Sequence, residues 1–391
     1  MRNTIAGIVA VTLILIVACN ETPTAVETPA NLSVRNAKGG AGGGSDTKVK
    51  NVTVSPSSAA LAVGATSQLT GTSKPAGATL VWASSSNPVA TVSQTGLVTA
   101  VSAGSATITA SAGGKSGSAI ITVSGPQPQG AILLTAGDIS SCSNNDDEAT
   151  AKILDANPQG LIALLGDNVY ETATKSDYDN CYNPTWGRHL ARTKPSAGNH
   201  EYQTAGAAGY FAYFGAAAGD PAKGYYSYNH GAWHIIVLNS NIARDAASTQ
   251  VAWLRADLAA NSGAACTLAY WHHPRFSSST HGNNTTVQPF WDALYELSAD
   301  VVLAGHDHSY ERFAPQTPTG VADAARGIRS FVVGTGGRSH YSLGTLKANS
   351  QAFNGSTSGL LKLTLGAGSY AWQFIPVAGQ TFTDSGTGAC H

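Results

Sequence analysis

Five times between residues 131 and 308 an apolar run gives way to a short polar cluster. The clusters are GDIS at Asp138, GDNVY at Asp167 and Tyr170, GNHE at Asn199 and His200, YWHHP at His272 and His273, and GHDHSYER at His306 and His308. AILLTAGD (131–138) and LIALLGD (161–167) read as buried strands with a helical stretch, 147–156, between them. That is a βαβ unit, and it sets both aspartates at the carboxyl ends of neighbouring parallel strands. CTLAYWHHP, the helix-period stretch TVQPFWDALYELSA and DVVLAGHDH repeat the pattern, with Val287, Phe290, Leu294 and Leu297 on one helix face. STQVAWLRADLAA (248–260) reads as an outer amphipathic helix capped by Ser248 or Thr249. Ligands in such sheets bind outside the carboxyl ends of the strands, so topology alone gathers the clusters at one edge.

A lone Gly-Asp or His-Pro carries no signal. Five clusters in this order, with His-x-His inside the last, form a mixed carboxylate, amide and imidazole donor set for first-row metals. Two ions about 3.5–4 Å apart and sharing one carboxylate suit an in-line displacement at phosphorus. In YWHHP the residues alone leave one ligand, two or none open, although successive strand side chains point to opposite faces.

Upstream the chain changes character. MRNTIAGIVAVTLILIVAC reads as an export signal, with Arg2 in a basic n-region and an apolar core from Ile5 to Val17. It is short for a membrane helix, which needs about 20 apolar residues. IVAC resembles the bacterial lipobox, which implies a lipid anchor at Cys19. Asn20 in place of aspartate favours the outer membrane in a Gram-negative host, with the protein periplasmic or surface-exposed. Residues 20–46 are rich in Pro, Thr and Gly and read as a flexible tether. From 47 to 125 short alternating runs such as VTVSP, LVWASS and AIITVS indicate a small all-β sandwich. GPQPQG then links it to an α/β domain, which extends to residue 391. With 12% charged residues and a net charge of -1, no basic surface for nucleic acid is evident.

The stretch 89–110, VATVSQTGLVTAVSAGSATITA, resembles the bacterial Ig-like domain, group 2. That implies a spacer or a surface-adhesion module touching a cell surface or a glycan. The five clusters resemble the calcineurin-like metallophosphoesterases over most of 131–375, which implies a four-layer α/β sandwich of two sheets flanked by helices. Many members carry Asp-x-His in the first motif; here it is Asp138-Ile139-Ser140, without that histidine. Tyr170, three residues after Asp167, and the extended HSYER make the chain similar to the purple acid phosphatase branch, where a tyrosinate replaces it. Carried over, the resemblance implies one metal held by Asp138, Asp167, Tyr170 and His308, and a second by Asp167, Asn199, His272 and His306. A phenolate suits Fe(III) in the first site, beside Fe, Zn or Mn in the second. The family register places its ligand two residues before the proline, which selects His272 over His273.

Together these resemblances imply an exported acid phosphatase that cleaves phosphomonoesters by attack of a metal-bound hydroxide. His200 and His281 are the candidate acids or phosphate-orienting groups. The competing readings are a phosphodiesterase or nucleotidase with the same metal site, and an envelope adhesion lipoprotein with an inactive domain. Glu201 and Arg312 are expected to hold ligands in place, while His189, His230, His234, His340 and His391 are expected to be structural. Leaving Cys19 aside, four cysteines in an exported chain mean two disulfides and three connectivities. On the implied topology, Cys142 and Cys181 follow the two aspartate loops and Cys266 and Cys390 lie at the opposite edge. The expected pairs are therefore Cys142–Cys181 and Cys266–Cys390.

Overall fold

The computed structural model describes residues 48–102, 104–124 and 130–391. The expected export signal, Cys19 and the tether at 20–46 lie outside the described residues, as do 125–129 of the linker.

Residues 51–124 form short strands, from Asn51–Ser55 to Lys115–Ser124, around a core of their own. Alternation decides which side chains enter it. Ala106, Ile108 and Ala110 of Gly104–Ala112 are buried, as are Ala119, Ile121 and Val123 of its antiparallel partner. Trp82, Leu69 and Val98 complete this small sandwich.

The rest of the chain builds two larger sheets. The first takes β1 (Ala131–Ala136), β2 (Leu161–Leu165), β3 (Thr193–Ser196), β11 (Gly359–Leu365), β12 (Ser369–Pro376) and β13 (Ser385–Ala389), in the order β3-β2-β1-β11-β12-β13. The second takes β4 (Tyr226–His230), β5 (Trp233–Val237), β6 (Cys266–Tyr270), β7 (Val301–Ala304), β8 (Tyr310–Phe313), β9 (Arg329–Val333) and β10 (Ser350–Asn354), in the order β4-β5-β6-β7-β9-β8-β10. β1, β2 and β3 run parallel, as do β5, β6, β7 and β9.

The central strands of the second sheet are apolar on both faces, as strands covered on both sides must be. Trp233, Ile235 and Val237 of β5, Leu268 and Tyr270 of β6, and Leu303 of β7 join the core shared with the first sheet. Their neighbours Ile236, Ala269, Trp271 and Val302 turn the other way, under the helices α3 (Thr249–Ala260) and α4 (Gln288–Glu296). The Ser248 hydroxyl caps α3 by accepting from the Val251 amide at 3.3 Å. Helix α1 (Asp147–Asp155) lies against β11, and its Ala151 and Leu154 enter the first core, as do Tyr210 and Phe214 of α2 (Ala208–Phe214). The result is four layers: helix, sheet, sheet, helix.

Two details depart from the sequence reading. Helix α4 stops at Glu296, so Leu297 lies at its cap and is exposed instead of completing the apolar face. Arg312 turns away from the polar clusters and pairs with Asp384 at 2.7 and 3.0 Å, over the Trp372 ring.

The disulfides are Cys142–Cys181 and Cys266–Cys390, whose partners are 39 and 124 positions apart in the sequence. Loop-closure entropy makes the longer bridge worth about 5 kcal/mol and the shorter about 4. Denaturant unfolding of the Cys266→Ser/Cys390→Ser double variant should therefore show a clear loss of stability. An unchanged midpoint would contradict that assignment of the bridge.

Candidate metal centre

The polar clusters sit where β1, β2, β3, β6 and β7 end. Backbone geometry at these strand ends is unusual: Asp138, Asp167 and His306 have φ of 59°, 49° and 72°. Left-handed φ is uncommon for residues with a side chain and persists only where the surroundings hold it. Here the turns re-aim each side chain out of the sheet and into a common space. The backbones also crowd closely. A Cβ on Gly166 would stand 2.7 Å from His272 Nδ1, and one on Gly198 would stand 2.2 Å from Asp167 Oδ1.

Asp138, Asp167, Tyr170, Asn199, His272, His306 and His308 come together as one cluster. On one side, Tyr170 Oη lies 2.9 Å from Asp138 Oδ1, 3.2 Å from Asp167 Oδ2 and 3.1 Å from His308 Nε2. On the other, His272 Nε2 lies 3.2 Å from Asp167 Oδ2, 3.0 Å from Asn199 Oδ1 and 3.2 Å from His306 Nδ1. The two halves meet at a single atom, Asp167 Oδ2.

Tautomers are set by the outer nitrogens. His272 Nδ1 donates to the Leu165 carbonyl at 2.8 Å, and His308 Nδ1 donates to the Ser339 carbonyl at 2.7 Å. In a neutral imidazole the remaining nitrogen then carries only a lone pair. Both lone pairs face carboxylate oxygens, so positive charge is required between them. Burial alone would lower His272, yet Asp167 and Asp138 carry it up to about 9. Burial likewise works against the charge on Asp167, but His272 and His200 outweigh it and hold the carboxyl below the usual range. Burial, then Asp138 and Asp167, push the Tyr170 phenol well above its ordinary value. Without a cation the cluster keeps protons where a cation would go. The donor set therefore fits a metal centre, and Asp167, His272 and His306 have ligand atoms within 4.8 Å of one another.

Around this centre, Glu201 is fully buried and accepts from the amides of Asp167, Asn168 and Gly198 at 2.9, 2.9 and 2.6 Å. The Tyr178 hydroxyl donates to it as well, at 2.9 Å. His200 holds the Glu171 carbonyl through Nδ1 at 2.6 Å, and its ring centroid is 4.3 Å from that of Tyr170. The exposed His281 ring stacks on His306 at 4.3 Å. His273 packs beside the cluster without joining its donor set: its ring centroid is 4.3 Å from that of His306, and its Nδ1 bonds to the Ser240 hydroxyl at 2.8 Å. Burial, with His272 nearby, lowers it to about 3.

The remaining histidines find partners elsewhere. His234 meets Asp257, His230 the Ile132 carbonyl, His340 the Ser358 hydroxyl, His391 Asp300 and His189 Asp155.

Neighbours of the centre from outside the five sequence clusters include Tyr341, whose ring stacks on that of His308 at 4.0 Å, and Arg338. The Arg338 guanidinium lies 4.5 Å from the Tyr170 ring centroid and bonds to Glu171 at 2.6 Å and to Ser141 at 3.1 Å. A signal was present: Arg338 follows the apolar run SFVVGTGG, whose strand β9 ends at the same edge as β7.

Residues 131–310 match the calcineurin-like phosphoesterase family, and this span holds all seven clustered residues. Residues 48–123 match the bacterial Ig-like domain, group 2. Purple acid phosphatase 15 of Arabidopsis thaliana is 30% identical over 226 residues, 49% of this chain and 42% of that protein. The chain thus spans under half the length of this curated relative. Among solved structures, a purple acid phosphatase from yellow lupin (Lupinus luteus) seeds aligns with a TM-score of 0.54 at 15% identity, over 82% of this chain and 67% of that one. GAP50, the anchor in the inner membrane complex of Plasmodium, aligns at 0.51 and 13%, over 65% and 87%. At these identities the two structures establish the fold.

Glu201→Ala would leave three buried amides without an acceptor, at about 1–3 kcal/mol each. Chemical denaturation should show a loss of several kcal/mol (roughly, on that basis), and Glu201→Gln, which keeps one acceptor oxygen, a smaller one. Equal midpoints for the Ala variant and the parent would contradict this role.

Proposed function

We propose, for a chain that carries an Ig-like domain followed by a calcineurin-like phosphoesterase domain, that it hydrolyses phosphomonoesters at a two-metal centre. The observation that carries this reading is Asp167 Oδ2, which stands 3.2 Å from both Tyr170 Oη and His272 Nε2. A single oxygen shared by two donor groups is the geometry of a bridging carboxylate. Asp138, Asp167, Tyr170 and His308 would hold the first ion, and Asp167, Asn199, His272 and His306 the second. Fe(III) suits the first because phenolate is a hard anionic donor, and Fe, Zn or Mn suits the second. Such ions activate water and offset charge on phosphoryl oxygens.

The chain's own groups do the rest. By donating outward to carbonyls, His272 and His308 fix the tautomer and ring orientation in which the inner nitrogen would face a cation. Asp167 is held in turn by the His200 amide, which donates to its Oδ1 at 2.8 Å. His281, exposed at the mouth and stacked on His306, is placed to orient phosphate or to protonate a departing alkoxide. His200 is the second candidate, although its Nδ1 is occupied by Glu171. Arg338 sets a fixed positive charge beside the Tyr170 ring, which favours the phenolate.

Export as an envelope lipoprotein anchored through Cys19, with the Ig-like domain as a spacer or contact module, completes the proposal. Two disulfides support it, because such bridges persist in oxidising compartments.

Metal analysis together with a panel of monoesters, diesters and nucleotides tests the function. The monoester reading predicts the highest kcat/KM on monoesters, and preference for a diester or nucleotide overturns it. His272→Ala should lose the second metal and all measurable hydrolysis, whereas His273→Ala should keep both ions. Equal loss from the two would show the register to be wrong. His281→Ala should lower kcat on substrates with poor leaving groups by about 10²–10⁴ while sparing metal content. Unchanged kinetics would remove His281 from the mechanism.

A further inference from the structure

Between His306 and His308 stands Asp307, a fully buried carboxylate whose side chain takes no part in the metal cluster. The backbone here is tightly folded: the Asp307 amide donates to the Gly305 carbonyl and the Ser309 amide to the Asp307 carbonyl, at 2.9 and 2.7 Å. Its flanking histidines face the cluster, whereas the Asp307 carboxylate meets the loop at 275–284. Oδ1 accepts from the His281 amide at 3.1 Å, while the buried Oδ2 has no hydrogen-bond partner. Four residues on, buried Glu311 accepts from the Ser278 amide at 2.7 Å and from the Ser350 hydroxyl at 2.6 Å. Two carboxylates from the metal-bearing segment thus grip successive points of one loop. That loop carries His281, whose ring centroid is held 4.3 Å from that of His306.

We propose that Asp307 is a positioning residue, which fixes the loop at 275–284 so that the His281 imidazole stands over the second metal half-site and meets the phosphoryl group. An apolar residue at 307 would leave the His281 amide without its acceptor and free the loop to shift. Asparagine keeps the acceptor oxygen and so keeps the loop in place.

The proposal rests on the phosphatase reading for its consequence, but not for its geometry, and the experiment separates the two. Hydrogen exchange at the His281 amide is measured in the full chain for the parent, Asp307→Val and Asp307→Asn. Exchange should quicken in the valine variant alone. In the same proteins, metal content is determined, and KM, kcat and the inhibition constant of inorganic phosphate are measured with a monoester. Asp307→Val should raise KM and the phosphate constant about fivefold to tenfold, the factor a lost buried hydrogen bond carries. On substrates with poor leaving groups kcat should fall in the same direction as in His281→Ala but by less, with metal content intact and Asp307→Asn close to the parent. On a His281→Ala background the valine substitution should add nothing further.

Equal effects with and without His281, or an asparagine variant as impaired as valine, would overturn the role. Should the parent neither bind phosphate nor hydrolyse monoesters, the phosphatase reading fails. The exchange data still decide the clamp, since unchanged exchange in Asp307→Val would refute it.

Discussion

The centre depends on two imidazoles whose protons point outward. His272 and His308 each donate through Nδ1 to a backbone carbonyl, which leaves their inner nitrogens as lone pairs against Asp167 and Asp138. Lone pairs and carboxylate oxygens repel unless positive charge lies between them. A buried cluster of this composition must therefore hold either protons or cations. Asp167 and Asp138 raise His272 to about 9, which expresses that demand. Bound cations would take the place of such protons and could leave the outward hydrogen bonds in place.

The sheets provide what such a centre needs, a rigid edge from which several strands deliver side chains to one place. Strand ends alone would point these residues along the sheet. Left-handed φ at Asp138, Asp167 and His306 turns them inward, and this strain is held by close backbone contacts at Gly166 and Gly198. Glu201 gathers three amides of the two loops on either side of Asp167 and so joins the β2 and β3 ends. The Cys142–Cys181 bridge spans the loops that follow the two aspartates and adds covalent restraint beside them.

Much of this was legible in the sequence because it derives from periodicity. Apolar runs that end in Gly-Asp or His clusters located the parallel strands, and their carboxyl ends located the site. The family register selected His272 over His273, whose Nδ1 bonds to Ser240 although its ring lies 4.3 Å from that of His306. Features that depend on tertiary contact were not legible. Arg312, adjacent in sequence to a metal motif, lies on a strand whose alternation carries it to Asp384. Arg338 follows a strand that ends at the site's edge, but only the folded loop after it brings the guanidinium to Tyr170. Asp307 looked like a spacer between two histidines, and only the packed loop at 275–284 gives its carboxylate a purpose. Leu297 continued the helical period on paper, but α4 ends one residue earlier.

The fold is shared both with a purple acid phosphatase and with a Plasmodium protein described as an anchor. Fold therefore does not settle activity, and the phosphatase proposal rests on the donor set. The most direct test is diffraction from crystals of the metal-loaded protein, measured at the absorption edges of the bound metals. Two anomalous peaks about 3.5–4 Å apart are expected on either side of Asp167. One should be bounded by Asp138, Tyr170 and His308, the other by Asn199, His272 and His306. A single peak, or peaks that leave Asp167 out of contact with one ion, would contradict the account.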